Sequence, residues 1–194
     1  GGGSYANIVK NISLLTGRQP LPPRWALGYI QSKYGYQTEQ EARGVVTTLR
    51  NNKFPLDAIV LDLYWFGSPQ TMGKLDWDLS QFPNPTEMLS NFKTIGVKTI
   101  LISETYLTQQ TSNFNVASQN GYLGKNSNGD SYILGSFWAG SAGLLDITNP
   151  NAANWMWTFY KARTDEGVAG WWTDLGEPES HPNDMVHFLG KKAN

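Results

Sequence analysis

Short apolar runs alternate with apolar stripes at helical spacing along most of this chain. That alternation predicts strand, loop and helix in repeating order. Trp25–Ile30 reads as a first strand behind a Pro-rich approach at Pro20, Pro22 and Pro23. Thr38 with Glu41 three residues on is a capping box, and Ala42, Val45, Val46 and Leu49 continue it as one helical stripe. Leu56–Leu63 is a second strand, apolar except for Asp57 and Asp62. Asn84, Pro85 and Glu87 signal the next helix start; Met88, Phe92 and Ile95 form its stripe, and Gly96 stops it. Val97–Glu104 is a third strand. A polar, aromatic and Gly-rich segment follows, Thr105–Thr148, too long for an ordinary connection and so expected to be functional. Asn149–Pro150 opens a third helix with Ala152, Ala153, Met156, Phe159 and Tyr160 facing inward; Gly167 ends it, and Val168–Thr173 is a fourth strand.

Successive strand–helix–strand units imply parallel pairing with right-handed crossovers. Four strands do not close a barrel, which needs about 250 residues. The expected fold is therefore α/β, the first half of a (β/α)8 barrel, with a free-standing open α/β sheet as the alternative. Residues 5–194 form the partial domain, its tail from Ser180 carrying no further strand and at most the start of a helix. Gly1–Ser4 reads as an engineered linker, and no signal-peptide pattern opens the chain. A half barrel exposes an apolar inner face and open sheet edges, so it is expected to pair with its missing half or with itself.

Composition narrows the chemistry. A net charge of −1, from 15 basic and 16 acidic residues, gives no footprint for nucleic acid or an anionic membrane. No apolar run approaches the ~20 residues of a membrane span. The chain has 0 Cys, which excludes disulfides and thiolate chemistry, and its 8 Trp are enough to line a ligand site as well as fill a core. No glycine-rich nucleotide loop follows a strand. Gly140–Gly143 lacks the spacing of a nucleophile elbow, and Lys191–Lys192 is too short a charge run to interpret.

Three of the four expected strands end on a carboxylate: Asp62, Glu104 and Asp174. Barrel strands place their C-terminal ends around one pocket, and acids there are costly unless paired or met by ligand. Asp174 follows Gly170–Trp171–Trp172–Thr173, and Trp beside carboxylates suits sugars, which present apolar faces and hydroxyl donors. Retaining glycoside hydrolysis needs an ionised nucleophile and an acid about 5 Å away. Asp174 fits the first role. Glu177 lies too near it in sequence to be the acid and reads as a supporting residue, with Glu179 weaker. Glu177, Glu179, His181 and His187 could ligate a metal, but their spacing matches no zinc motif, and no cofactor is expected.

At this point the residues resemble glycoside hydrolase family 31. Leu21–Gly28, Phe54–Asp62, Asp76–Trp77–Asp78, Phe82–Pro83, Phe137–Gly140, Asp146–Pro150 and Trp172–Leu175 carry the resemblance, in the family's order. It implies a retaining, exo-acting α-glycosidase or transglucosylase acting on α-linked oligosaccharides through a covalent glycosyl-enzyme. Asp174 would be the nucleophile; Asp62, Glu104, Trp138, Trp172 and Glu177 would bind substrate. The chain departs from the commoner motif with Asp174–Leu175–Gly176–Glu177–Pro178–Glu179, and it has Glu104 where many members have Asp. The same resemblance puts the acid/base on a later strand, beyond Asn194, and favours a periplasmic or secreted setting for a bacterial member. Two readings compete: a half-barrel assembly module without activity, and a sugar-binding protein that does not turn over.

Overall fold

The computed structural model describes residues 3–190, so Gly1, Gly2 and the Lys191–Lys192 pair lie outside the described residues. Its strands are β1 (Ile30–Gln31), β2 (Ala58–Leu61), β3 (Lys98–Glu104), β4 (Tyr106–Thr108), β5 (Ala142–Leu144) and β6 (Gly170–Asp174). The helices are α1 (Tyr5–Thr16), α2 (Glu39–Asn51), α3 (Pro85–Thr94), α4 (Ser112–Gln119) and α5 (Pro150–Glu166). β1, β2, β3 and β6 pair in that order, all parallel, in one sheet. Each expected strand is present, though shorter. The first is nearly lost: Arg24–Leu27 winds into a 3-10 turn and only Ile30 and Gln31 pair with β2. The Ala26 and Gly28 N–H groups close the turn on Pro23 and Trp25, and the Tyr29 N–H goes to the Asp57 side chain, so these donors are spent off the ladder.

Register assigns the two faces of the sheet. Ile100, Ile102 and Glu104 lie opposite Gly170, Trp172 and Asp174, while Leu101 and Ser103 lie opposite Trp171 and Thr173. Because strand side chains alternate, these are opposite faces. The Leu101 face is the helical one: Trp171 stacks on Tyr160 of α5 with ring centroids 4.4 Å apart, and the Ser103 and Tyr160 hydroxyls are 2.8 Å apart. The other face, carrying Val60, Ile100, Trp172 and the strand-end acids, corresponds to a barrel interior.

α2 begins as its sequence dictates: the Thr38 side chain accepts from the Glu41 N–H, and Ala42 and Val46 are buried. α5 begins where Asn149 accepts from the Asn151 N–H and ends at Gly167, whose φ of 119° suits a residue without Cβ. α3 is different. Asn84 makes no side-chain cap; its N–H donates to Glu39, while Glu87 accepts from Asn91 one turn on. Leu89 rather than Ile95 completes its buried stripe, and on α5 Ala153 is exposed while Ala152 and Met156 are buried.

Two parts were not anticipated. α1 is an extra helix with no buried residue. The Thr105–Thr148 segment contains α4 and an antiparallel β4–β5 pair that matches Tyr106 with Leu144 and Thr108 with Ala142. Leu107, Phe114, Ala117, Leu123 and Leu145 form a second small core there, packed on Ala152 and Met156 of α5. After Ser180 the described tail holds no helix or extended strand, only an isolated pairing of Val186 with Lys125.

Candidate active site

The strand ends bring Asp62, Glu104 and Asp174 together. Glu104 and Asp174 are register partners on neighbouring parallel strands, which run about 4.8 Å apart. Asp62 follows directly on the Leu61–Leu101 pair, and one step of alternation puts it on the opposite face, the one that carries Glu104 and Asp174. All three fall on the interior side, at the carboxyl ends. The chain turns sharply after β2 into the 3-10 turn Leu63–Phe66, and the Leu63 N–H donates to Asp62 Oδ1 at 2.7 Å. Trp65 in that turn is fully buried and donates its indole N–H to the Ile102 carbonyl at 2.9 Å, tying the end of β2 to β3.

The electrostatics follow from this crowding. Asp62 and Glu104 are buried, and among the described residues no Lys, Arg or His forms an ion pair with any of the three acids. Burial pushes Glu104 up to about 8, and the charges of Asp62 and Asp174 push the same way. At neutral pH it therefore carries a proton. Burial also raises Asp62, against the Leu63 hydrogen bond, with the Asp174 charge adding to the rise. Among the described residues Glu104 Oε2 is buried without a hydrogen-bond partner.

Trp172 lies two residues before Asp174 on the same face and is partly exposed, open to the interior. Trp138 comes from the loop between α4 and β5 and is half exposed, but its indole N–H is engaged, donating to Glu179 Oε2 at 2.9 Å. Glu177 is exposed and makes no hydrogen bond among the described residues. The sequence reading ranked it above Glu179; the structure gives the anchored position to Glu179. The four-residue metal alternative does not assemble. His181 and His187 meet through their Nε2 atoms at 2.7 Å, and His187 Nδ1 contacts Asp146 at 3.1 Å. Among the described residues no group of three or more such side chains could hold a metal ion. Tyr106 and Asp146 were not singled out as functional residues, and His187 only as one of the four conceivable metal ligands. Asp146 lay in a quoted motif, but its partner His187 is 41 positions away.

A parallel sheet with helices on one face and acids gathered at its carboxyl edge defines half of an α/β barrel with an acidic candidate site. Residues 19–193 match the TIM-barrel domain of the glycosyl hydrolases family 31. The chain belongs to that family, as the resemblance implied. It is 32% identical over 174 residues to alpha-glucosidase 2 of Bacillus thermoamyloliquefaciens, covering 89% of this chain and 22% of that protein. To the alpha-xylosidase of Saccharolobus solfataricus it is 31% identical over 185 residues, covering 92% of this chain and 22% of the other. Among solved structures, the Flavobacterium johnsoniae GH31 dextranase complexed with glucose superposes with a TM-score of 0.90 at 32% identity, covering 97% of this chain and 24% of that one. The chain thus spans between a fifth and a quarter of these relatives, and the fold is the N-terminal half of the family's barrel.

Proposed function

We propose that this chain carries the nucleophile half of a retaining, exo-acting α-glycosidase or transglucosylase. The observation behind the proposal is the facing pair Glu104 and Asp174, with Asp62 beside them, on the interior face and, among the described residues, with no cation paired to them. Three acids gathered together, two of them buried, cost stability, and a sugar's hydroxyls offset that cost.

In this reading Asp174 Oδ attacks the anomeric carbon as the bond to the leaving oxygen breaks, giving a covalent glycosyl-enzyme. A second attack, by water or a sugar hydroxyl, releases the product with net retention. Asp62 accepts from hydroxyls remote from the reacting centre, and protonated Glu104 exchanges hydrogen bonds with another. Trp172 supplies an apolar wall. Trp138 contributes its ring face while its N–H holds Glu179, and Glu177 orients the loop or a hydroxyl. The leaving group's proton comes from a residue on a later strand of the complete barrel. α-Linked oligosaccharides are the substrate class, in keeping with the glucosidase and xylosidase names of the relatives.

The assembly reading has its own support. β6 has no neighbour on its outer side among the described residues, and Trp172 stands open on the interior face. Further parallel strands, from the rest of the same protein or from a second copy, would cover both.

The test uses an α-glycosyl fluoride with a second fluorine on the ring, whose leaving group needs little protonation. Incubation and peptide mass spectrometry should find a glycosyl adduct on Asp174. An adduct on another residue, or none when the chain has been combined with the remaining barrel, refutes the assignment.

A further inference from the structure

The loop after β6 is tethered at three successive residues by side chains from elsewhere in the chain. Glu179 accepts from the Trp138 indole at 2.9 Å. Ser180 is held from both sides by one phenol: its N–H donates to Tyr106 Oη at 2.7 Å, and Tyr106 donates back to the Ser180 carbonyl at 3.0 Å. Tyr106 is fully buried and stacks on Phe137, centroids 4.4 Å apart, so the tether starts from a fixed ring. His181 meets His187, and His187 meets Asp146.

The third tether has a defined polarity. Asp146 accepts from the Thr148 N–H, the Thr148 hydroxyl and the Phe188 N–H as well as His187. Burial raises it, but these hydrogen bonds outweigh burial and hold it below the usual carboxylate range, so it is an anion. An anionic Asp146 places the proton of His187 on Nδ1. His187 Nε2 is then an acceptor, and the Nε2–H of His181 is its donor. The remaining His181 nitrogen, Nδ1, is a buried acceptor without a partner.

Gly176, Pro178, His181 and His187 line a half-open cavity of about 200 Å³ together with Leu144, Leu145 and Ile147, so close packing covers the loop on only part of its surface and the hydrogen bonds add to it.

We propose that Tyr106 and His187 are positioning residues, which together with Trp138 clamp Glu179–His181 and so fix the loop that leaves β6 directly after Asp174, steadying that strand end in the site. The proposal rests on the reading of Asp174 as the reacting carboxylate. Two elements of the Thr105–Thr148 segment, the β4 strand and the loop ahead of β5, thereby gain a purpose.

Three variants test it. Tyr106→Phe keeps the stacked ring and removes only the hydroxyl. His187→Asn keeps a donor for Asp146 and removes the atom that meets His181; His187→Gln sets an amide oxygen, an acceptor, near that atom. Hydrogen exchange of the 175–181 amides should quicken roughly tenfold in Tyr106→Phe and His187→Asn, with β3 and β6 protection unchanged, and return toward wild type in His187→Gln. Adduct formation at Asp174 from the difluorinated glycosyl fluoride should slow in the first two variants at unchanged sugar affinity, and recover in the third. Unchanged exchange at the loop in Tyr106→Phe and His187→Asn overturns the clamp. If exchange changes as expected but wild type forms no adduct at Asp174, the clamp stands as a loop tether, and its positioning role falls with the reading of the nucleophile.

Discussion

Glu104 is the group whose behaviour separates a working site from an ordinary strand end. Its carboxyl is raised from 4.5 to about 8, by burial first and then by the charges of Asp62 and Asp174. Below about pH 4 it holds a proton whether the chain is folded or not. Between 4.5 and 8 the unfolded chain has released that proton and the folded chain has kept it, so stability falls as pH rises. Above about 8 both forms are ionised and the loss levels off. One pKa unit corresponds to 1.36 kcal/mol, so the gap amounts to roughly 5 kcal/mol, a large part of the 5–15 kcal/mol that holds a typical domain together. Glu104→Gln keeps the shape and removes the titration. Urea unfolding followed by Trp fluorescence at pH 4 to 9 should show the variant gaining on wild type by roughly 5 kcal/mol across that range. Parallel pH curves for the two proteins would refute the reasoning, because they would mean that Glu104 ionises as freely in the fold as in water.

Other consequences are simpler to read. Asp62→Asn removes one of the charges acting on Glu104, so the carboxyl ¹³C titration midpoint of Glu104 should fall below its value of about 8; an unmoved midpoint places the two acids apart. Trp65→Phe loses the donor to the Ile102 carbonyl and should cost about 1–3 kcal/mol in chemical denaturation, with no change in fold by circular dichroism. Thr38→Ala removes the cap on the Glu41 N–H and should cost about 1 kcal/mol, while Thr38→Ser should restore most of it.

The parallel frame was legible because its signals are local. Thr38 and Glu41, or Asn149 and Pro150, mark a helix start within four residues, and an apolar run ending in an acid marks a strand end. The alternation of side chains then puts Glu104 and Asp174 on one face as soon as their strands pair. What escaped depends on contacts distant in sequence. Glu179 gains its anchor from Trp138, Ser180 from Tyr106, and Asp146 from His187, each more than 40 positions away. Glu177 outranked Glu179 on sequence because only the fold reveals which of them meets an indole. α3 shows the same effect in reverse. Asn84 has the residue type of a cap, but Glu39 takes its N–H, and its side chain caps nothing.

Chemical rescue of a variant lacking the Asp174 carboxylate tests the central claim most directly. Asp174→Gly, combined with the remaining barrel and given an α-glycosyl fluoride and azide, should yield the β-glycosyl azide, because azide enters from the face the carboxylate has vacated. Wild type under the same conditions should release fluoride without that product. Fluoride release by Asp174→Gly at the wild-type rate without azide, or an α-glycosyl azide in its place, would contradict the account.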